Sequence, residues 1–295
     1  MSGSVILNLS RVLHRIPRSL FWVCQRCWLR LPVVVKLPWG GWWLAWGDVM
    51  GRHVRLRDGF EEGEQNFLLR FLCRGMVVMD IGAHQGLYTL LASKRVGPTG
   101  QVIAFEPSPR ELRRLRWNLL LNRCRNVRLE PLALSSSEGV ADLFICLGQE
   151  TGCNSLRRPA VSEPTKPIRV RVTTLDNYFQ STNIGHIDFV KLDVEGAEKE
   201  VLKSATTLLT HKPRPIIMGE LADVRTEPWG YRSVEIYEYL AARGYRWFSM
   251  TPEGRLRSCQ RKEHFHENLL AVPDEKPGLV ASYVEEVGER CVGAA

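Results

Sequence analysis

No aspartate or glutamate occurs before Asp48, the eight cysteines follow no repeated spacing, and no internal repeat is visible in the 295 residues. The irregular cysteines argue against a disulfide framework. Cys24-Gln25-Arg26-Cys27 has the spacing of half a zinc site but no second pair to complete four ligands, and His264-Phe265-His266 has no clear acidic partner, so no metal is expected. A clean apolar stretch with a cleavage site is also missing at the N-terminus, which points to a cytoplasmic protein rather than a secreted one. Arg or Lys interrupts every window of about 20 residues in the first segment, and Pro32 and Pro38 break the chain beyond it, so this segment should not span a bilayer.

The net charge of +8 suggests nucleic acid, but residues 1–58 hold nine Lys/Arg against two Asp, a surplus of +7. The remainder, 31 bases against 30 acids, is nearly neutral. An enzyme acting on nucleic acid needs a basic stripe round its site, so no nucleic-acid partner is expected. The chain divides into a basic, Trp-rich extension (1–57), one globular domain (58–275) and a C-terminal tail (276–295), with 44% hydrophobic residues to fill the core.

Six of the nine tryptophans lie in the extension: Trp22, Trp28, Trp39, Trp42, Trp43 and Trp46. Wound as a helix at about 100° per residue, Val5 to Leu31 places Arg11, Arg15, Arg18, Arg26 and Arg30 on one side and Leu9, Leu13, Ile16, Leu20 and Val23 on the other. Such a helix suits peripheral contact of residues 1–47 with the inner face of an anionic membrane, although Pro17 would kink it. Packing on the domain itself or on a twin subunit suits it equally, and an Arg-rich, acid-free start also fits a mitochondrial presequence if the source is eukaryotic.

The most informative segment is Asp80-Ile81-Gly82-Ala83-His84-Gln85-Gly86, between the apolar run Met76–Met79 and the helical Leu87–Ala92. A buried strand ending in an acid and glycines turns sharply into a helix close to a ligand. A dinucleotide loop needs glycine where Asp80 stands, and a carboxylate there repels phosphates. It can accept hydrogen bonds, directly or through water, from a cationic amino group such as the methionine end of S-adenosylmethionine. A second apolar strand, Gln101–Phe105, ends at Glu106 and Pro107, placing a carboxylate where both hydroxyls of a ribose can bond to it. Gly82, Ala83, His84, Gly86, Tyr88 and Thr89 are further candidate contacts.

The third motif is Ile187-Asp188-Phe189-Val190-Lys191-Leu192-Asp193-Val194-Glu195-Gly196-Ala197-Glu198. With the other two it resembles the FkbM-type family of S-adenosylmethionine-dependent methyltransferases, over about Asp58 to Pro273. The chain departs from the family's usual pattern at His84 and Gln85. The resemblance implies an α/β, Rossmann-like class I methyltransferase fold: a mostly parallel seven-stranded sheet, helices on both faces, and an antiparallel last strand. It also implies Glu64 near the cofactor, Ala133 beside the adenine, and methylation of a hydroxyl on a small molecule or glycan. N-methylation of a small molecule and a non-catalytic descendant are the alternatives. Oligomeric state is not legible.

Seven strand segments fit that architecture, the remaining ones being Val127–Leu134, Ile187–Leu192, Pro215–Glu220, Tyr245–Met250 and Asn268–Val272. Four of them end in acids, Asp80, Glu106, Asp193 and Glu220, which repel one another unless a cation compensates. Gly51–Arg57 is expected as a strand, Gly196–Leu209 as one helix, and the Gly148–Pro167 insertion as a substrate lid. Methyl transfer to a hydroxyl needs a base; Asp193 is the first candidate, with Glu195 and Glu220 as alternatives. Capping the following helix is the competing role for Asp193.

Overall fold

The computed structural model describes residues 32–56, 60–182 and 184–285. The expected Val5–Leu31 helix and the Cys24–Cys27 pair lie outside the described residues. In chain order the elements begin with strands β1 (Val33–Lys36) and β2 (Trp42–Ala45) and helices α1 (Val49–Leu56) and α2 (Glu62–Phe71). Then come β3 (Val77–Ile81), α3 (Leu87–Val96), β4 (Gln101–Phe105), α4 (Pro109–Leu121), β5 (Val127–Glu130), β6 (Ala133–Leu134), β7 (Gly139–Cys146), β8 (Thr165–Thr173) and α5 (Leu175–Ser181). The last part holds β9 (Phe189–Leu192), α6 (Glu198–Lys203), α7 (Thr206–Thr210), β10 (Ile216–Ala222), α8 (Asp223–Thr226), α9 (Val234–Ala241), β11 (Tyr245–Met250), β12 (Leu256–Ser258), β13 (His266–Pro273) and α10 (Pro277–Val280).

The main sheet runs β12-β11-β13-β10-β9-β3-β4-β5. Strands β10, β9, β3, β4 and β5 are mutually parallel, and β13 is antiparallel to both β10 and β11. The seven expected strands are all here, and short β12 adds an eighth at the edge. From β3 the chain moves outward through β4 to β5, then returns to place β9 on the other side of β3. That reversal opens a crevice beyond the carboxyl ends of β3 and β9, where ligands of doubly wound sheets bind. Apolar side chains fill both faces: Ile81, Ile103, Phe105 and Leu192 on one, Val78, Val102, Phe189 and Met218 on the other.

Several local expectations are corrected. Residues 49–56 form a helix, not a strand: Met50 and Val54, four apart, face one apolar cluster, and the Asp48 carboxylate accepts the Gly51 N–H at 2.8 Å to start it. Val127–Leu134 is split, because Ala133–Leu134 leaves the main sheet to pair with β8. Strands β7 and β8 pair with each other and, with β6, make a separate three-stranded sheet. The Gly196–Leu209 helix is broken into α6 and α7 at Ser204-Ala205, where the Ser204 hydroxyl donates to the Val201 carbonyl and accepts the Leu175 N–H.

The hairpin β1–β2 lies against α4. Trp43 and Ala45 are fully buried, and Asn118 and Asn122, one turn apart on α4, bond to the backbone of Leu44 and Trp42. The hairpin therefore delivers Asp48 and α1 to the crevice.

Candidate active site

The crevice holds a cavity of about 510 Å³ lined by the β3–α3 loop, the ends of β4, β9 and β10, α1, and the Gly148–Pro167 insertion. This is within the range for an enclosed small molecule, roughly 300–1,000 Å³. Glu106, ending β4, accepts the His84 N–H at 2.7 Å on one oxygen and the Ser108 N–H at 2.8 Å on the other. Each oxygen keeps a further lone pair for a hydroxyl. Burial pushes this carboxyl up to about 8, despite those two bonds.

Gly82 is held at φ +84°, and a Cβ there would lie 1.7 Å from the Asp193 carbonyl oxygen, so only glycine lets the loop pack on the end of β9. His84, Gly86, Tyr88, Pro107 and Ala133 line the cavity, with Leu132, Leu134 and Leu143 forming an apolar wall beside Ala133.

Three expected contacts do not reach the wall. Asp80 alternates with Ile81 along β3 and so shares a face with Val78, toward α3; there it accepts the Thr89 hydroxyl at 2.5 Å. Both side chains lie beneath the loop, not in the lining, and burial raises the Asp80 carboxyl while Lys191 opposes the rise. Oδ1 of Asp80 is buried without a partner. Glu64 is the third: it sits inside α2, and the neighbouring acid Glu61, immediately before the helix, lines the cavity instead. Glu61 accepts the Tyr88 hydroxyl at 2.6 Å and the Asn268 amide at 3.2 Å, and burial lifts it to about 7. Its left-handed backbone, φ 45°, turns it inward, a feature that no helical spacing signals.

At the other end, ligand atoms of Asp193, Glu195 and Glu220 lie within 4.8 Å of one another. Asp193 is paired with Lys191 at 2.7 Å. Burial alone would depress the Lys191 ammonium, but Asp193, Asp80 and Glu61 hold it above its ordinary value, so it stays charged. Glu195 meets Arg225 at 2.9 Å, off the line that a hydrogen bond requires. Burial, then the charge of Asp193, pushes Glu195 up to about 8. Glu220 is raised well above the carboxylate range, again by burial first and Asp193 second, and its Oε2 is buried without a partner.

The backbone of this end is built tightly. Glu195 itself is left-handed at φ 56°, and a Cβ on the next residue, Gly196, would strike the Arg225 carbonyl at 2.1 Å. Glu198 does not line the cavity; it accepts the Val194 and Gly196 N–H groups and so closes the turn. Ser155 donates to the Glu195 carbonyl at 2.7 Å, tying the insertion to this turn. Lys191 and Arg225, which carried no assigned role in the sequence, are the charge partners that let three acids share one place. His264, expected to lack an acid, is bonded to Asp223 at 2.8 Å, away from the cavity lining.

The whole lining carries six carboxylates, Glu61, Glu106, Glu150, Asp193, Glu195 and Glu220, against Lys191 and Arg225. Carboxyl groups that a cationic ligand would hold ionised, an apolar wall and an acid with lone pairs free for a diol fit a cationic nucleoside. The family model for the FkbM methyltransferase domain matches residues 80–247. The chain belongs to this family. Its sheet order is that of a doubly wound, Rossmann-like α/β fold.

Over 249 residues it is 26% identical to the AMB antimetabolite synthetase AmbE of Pseudomonas aeruginosa, covering 73% of this chain and 11% of that one. Over 146 residues it is 29% identical to the 2-O-methyltransferase NoeI of Sinorhizobium fredii, 45% of this chain and 59% of that one. It thus spans less than two thirds of either relative. Among solved structures, precorrin-6y C5,15-methyltransferase from Geobacter metallireducens is similar at 16% identity and a TM-score of 0.42, over 72% of this chain and 87% of that one.

Proposed function

We propose that the enzyme methylates a hydroxyl oxygen of a sugar, glycolipid or secondary metabolite, with Glu220 receiving the hydroxyl proton and Asp193 orienting the acceptor. The single observation that carries this reading is the meeting of three acids at one end of the donor cavity, one of them with a buried oxygen that has no partner.

When bound, S-adenosylmethionine supplies a methyl group on a good leaving group. In this reading Glu106 would hold the ribose hydroxyls, the Ala133 wall would cover the adenine and Glu61 would meet the cationic amino group, with Asp80 below the loop. A hydroxyl is a weak nucleophile until its proton is taken, and a base works best when its proton affinity is matched to the working pH. Asp193, the first choice from sequence, is already engaged by Lys191, and Glu195 faces Arg225. Glu220 has the unengaged oxygen, and its raised proton affinity makes it the acceptor once binding of the cationic donor has released the proton it carries at rest. Lys191 is held protonated and cannot accept a proton.

The relative NoeI is named a 2-O-methyltransferase, which agrees with a hydroxyl acceptor. The insertion residues Glu150, Gly152, Cys153, Asn154, Ser155 and Leu156 line the same cavity and are the segment proposed to select the acceptor. The test is transfer of labelled methyl from the donor into a cell extract and identification of the product. A product labelled on oxygen supports the reading; labelling only on nitrogen overturns it.

A further inference from the structure

Among the described residues, one face of the molecule is built from two stretches that hold no acid; Glu130, just beyond the second, is paired with Arg128 at 2.5 Å. Residues 32–47 contain neither Asp nor Glu, and residues 112–129 contain six arginines and again no acid. These two stretches are adjacent in space, because Asn118 and Asn122 of α4 bond to the backbone of β2, and Trp46 stacks on Trp117 with ring centroids 5.6 Å apart.

The outer stripe of α4 follows the helical period: Arg113, Arg116, Trp117 and Leu120 are exposed, three or four residues apart. Leu120 is 73% exposed, Trp117 42% and Leu121 37%; beside them on the hairpin stand Val34 at 52% and Trp42 at 45%. Single exposed apolar residues are ordinary, but five on one face built from acid-free stretches, flanked by arginines, form a patch with a preferred partner. Arg113 lies over the Trp117 ring at 5.8 Å, so the aromatic and the charge are presented together.

The far end of α4 leads into a second, open concavity of about 880 Å³ lined by Lys94, Arg123, Arg125 and Arg128, with no acid in its lining. It shares Arg123 and Asn122 with the end of the stripe. Finally, the described chain starts at Pro32, immediately before β1, and the 31 residues preceding it hold five arginines and no acid.

We propose that this face, made of the β1–β2 hairpin, the outer stripe of α4 and the basic concavity at its end, docks on an anionic lipid bilayer. Tryptophan and leucine enter the boundary between headgroups and acyl chains, arginines pair with lipid phosphates, and the concavity takes a headgroup. A nucleic acid would use the arginines but gains little from exposed Leu120, Leu121 and Val34. The surface is distinct from the methyl-donor cavity, so docking and donor binding are separable.

The experiment is co-sedimentation of the full chain with phosphatidylcholine vesicles with and without phosphatidylserine, at low and high salt. Binding is expected only with phosphatidylserine, and to fall as salt rises. Arg113→Gln with Arg116→Gln is expected to lower partitioning by about tenfold or more, since each basic residue at such a surface contributes on the order of fivefold. Leu120→Glu is expected to lower it at least as much, with donor binding and thermal melting unchanged in both variants. Absence of binding, equal binding to pure phosphatidylcholine, or binding that survives these substitutions would overturn the proposal. So would substitutions that weaken retention on RNA, or self-association, while vesicles are not bound.

Discussion

Two buried charge clusters sit on opposite sides of the donor loop, and they are built on opposite principles. Around Asp48, every charge has its partner: one oxygen accepts the Gly51 N–H, the other accepts Gln85 at 2.6 Å, Arg114 at 2.8 Å and Thr151 at 3.2 Å. Arg114 also reaches Glu111 at 3.1 Å, and neutral His84, pushed down by burial, shares Thr151 at 3.1 Å. Around Asp193, Glu195 and Glu220, two cations serve three acids and one carboxylate oxygen is left alone. The first cluster pairs all its charges, leaving only the neutral Gln85 Oε1 without a partner, and holds the hairpin, the donor loop and the insertion together. The second is incomplete, and an incomplete buried cluster has a physical reason to exist only where something else arrives.

The largest effects should come from the open cluster, in turnover and not in folding. Glu220→Gln is expected to lower kcat by about 10²–10⁴-fold, the usual range for a lost general base, while calorimetry shows donor binding intact. Full activity in that variant would return the role to Asp193. Asp193→Asn should also reduce kcat, with a disturbed acceptor KM because Lys191 loses its partner.

The charge-paired cluster should answer the other way. Asp48→Ala strands Gln85 and leaves Arg114 with Glu111 alone, and is expected to cost about 3 kcal/mol of stability, read as a lower midpoint in chemical denaturation. If stability were unchanged and only kcat fell, the distinction between the two clusters would be lost.

A smaller effect is expected from pH. Glu195 and Glu106 are pushed up to about 8, and Glu61 to about 7, by burial. A carboxyl whose folded value exceeds its unfolded value favours the fold while protonated, so this contribution is complete below about pH 4 and is lost as pH rises toward 8. A cationic donor reverses the preference, because it needs the charged acids. Donor binding should therefore release protons, and each proton released should tighten it roughly tenfold per pH unit between about pH 5 and pH 8. Titration in buffers of different ionisation enthalpy measures the release.

The smallest effect is expected at Ser155→Ala, which removes one bond from the insertion to the Glu195 carbonyl. A loss of about 1 kcal/mol, seen in acceptor KM and not in donor affinity, would mark the insertion as the acceptor side.

His84 and Gln85 show where reading from sequence ends. They stand out as departures from the family's pattern, yet their partners, Asp48, Thr151 and Glu111, come from three other segments of the chain. Nothing in local spacing joins positions 37 or 67 residues apart. The resemblance points to Glu64, whereas Glu61 lines the cavity, for a related reason: the left-handed turn at Glu61, just before the helix that holds Glu64, decides which acid looks inward.

The strand-turn-helix at Asp80, the second acid at Glu106 and the Lys-Leu-Asp-Val-Glu-Gly run carried the resemblance that implies the parallel sheet and the class of donor, and the strand ends and turns themselves were legible because they depend on backbone geometry within a few residues. Tertiary structure alone decided that Asp80 lies under the loop, that Lys191 and Arg225 hold the acids together, and that the hairpin closes one side of the site. Burial, which sets both the charge state and the partner of a carboxylate, is a property of the groups packed around it, and those neighbours are distant in the chain.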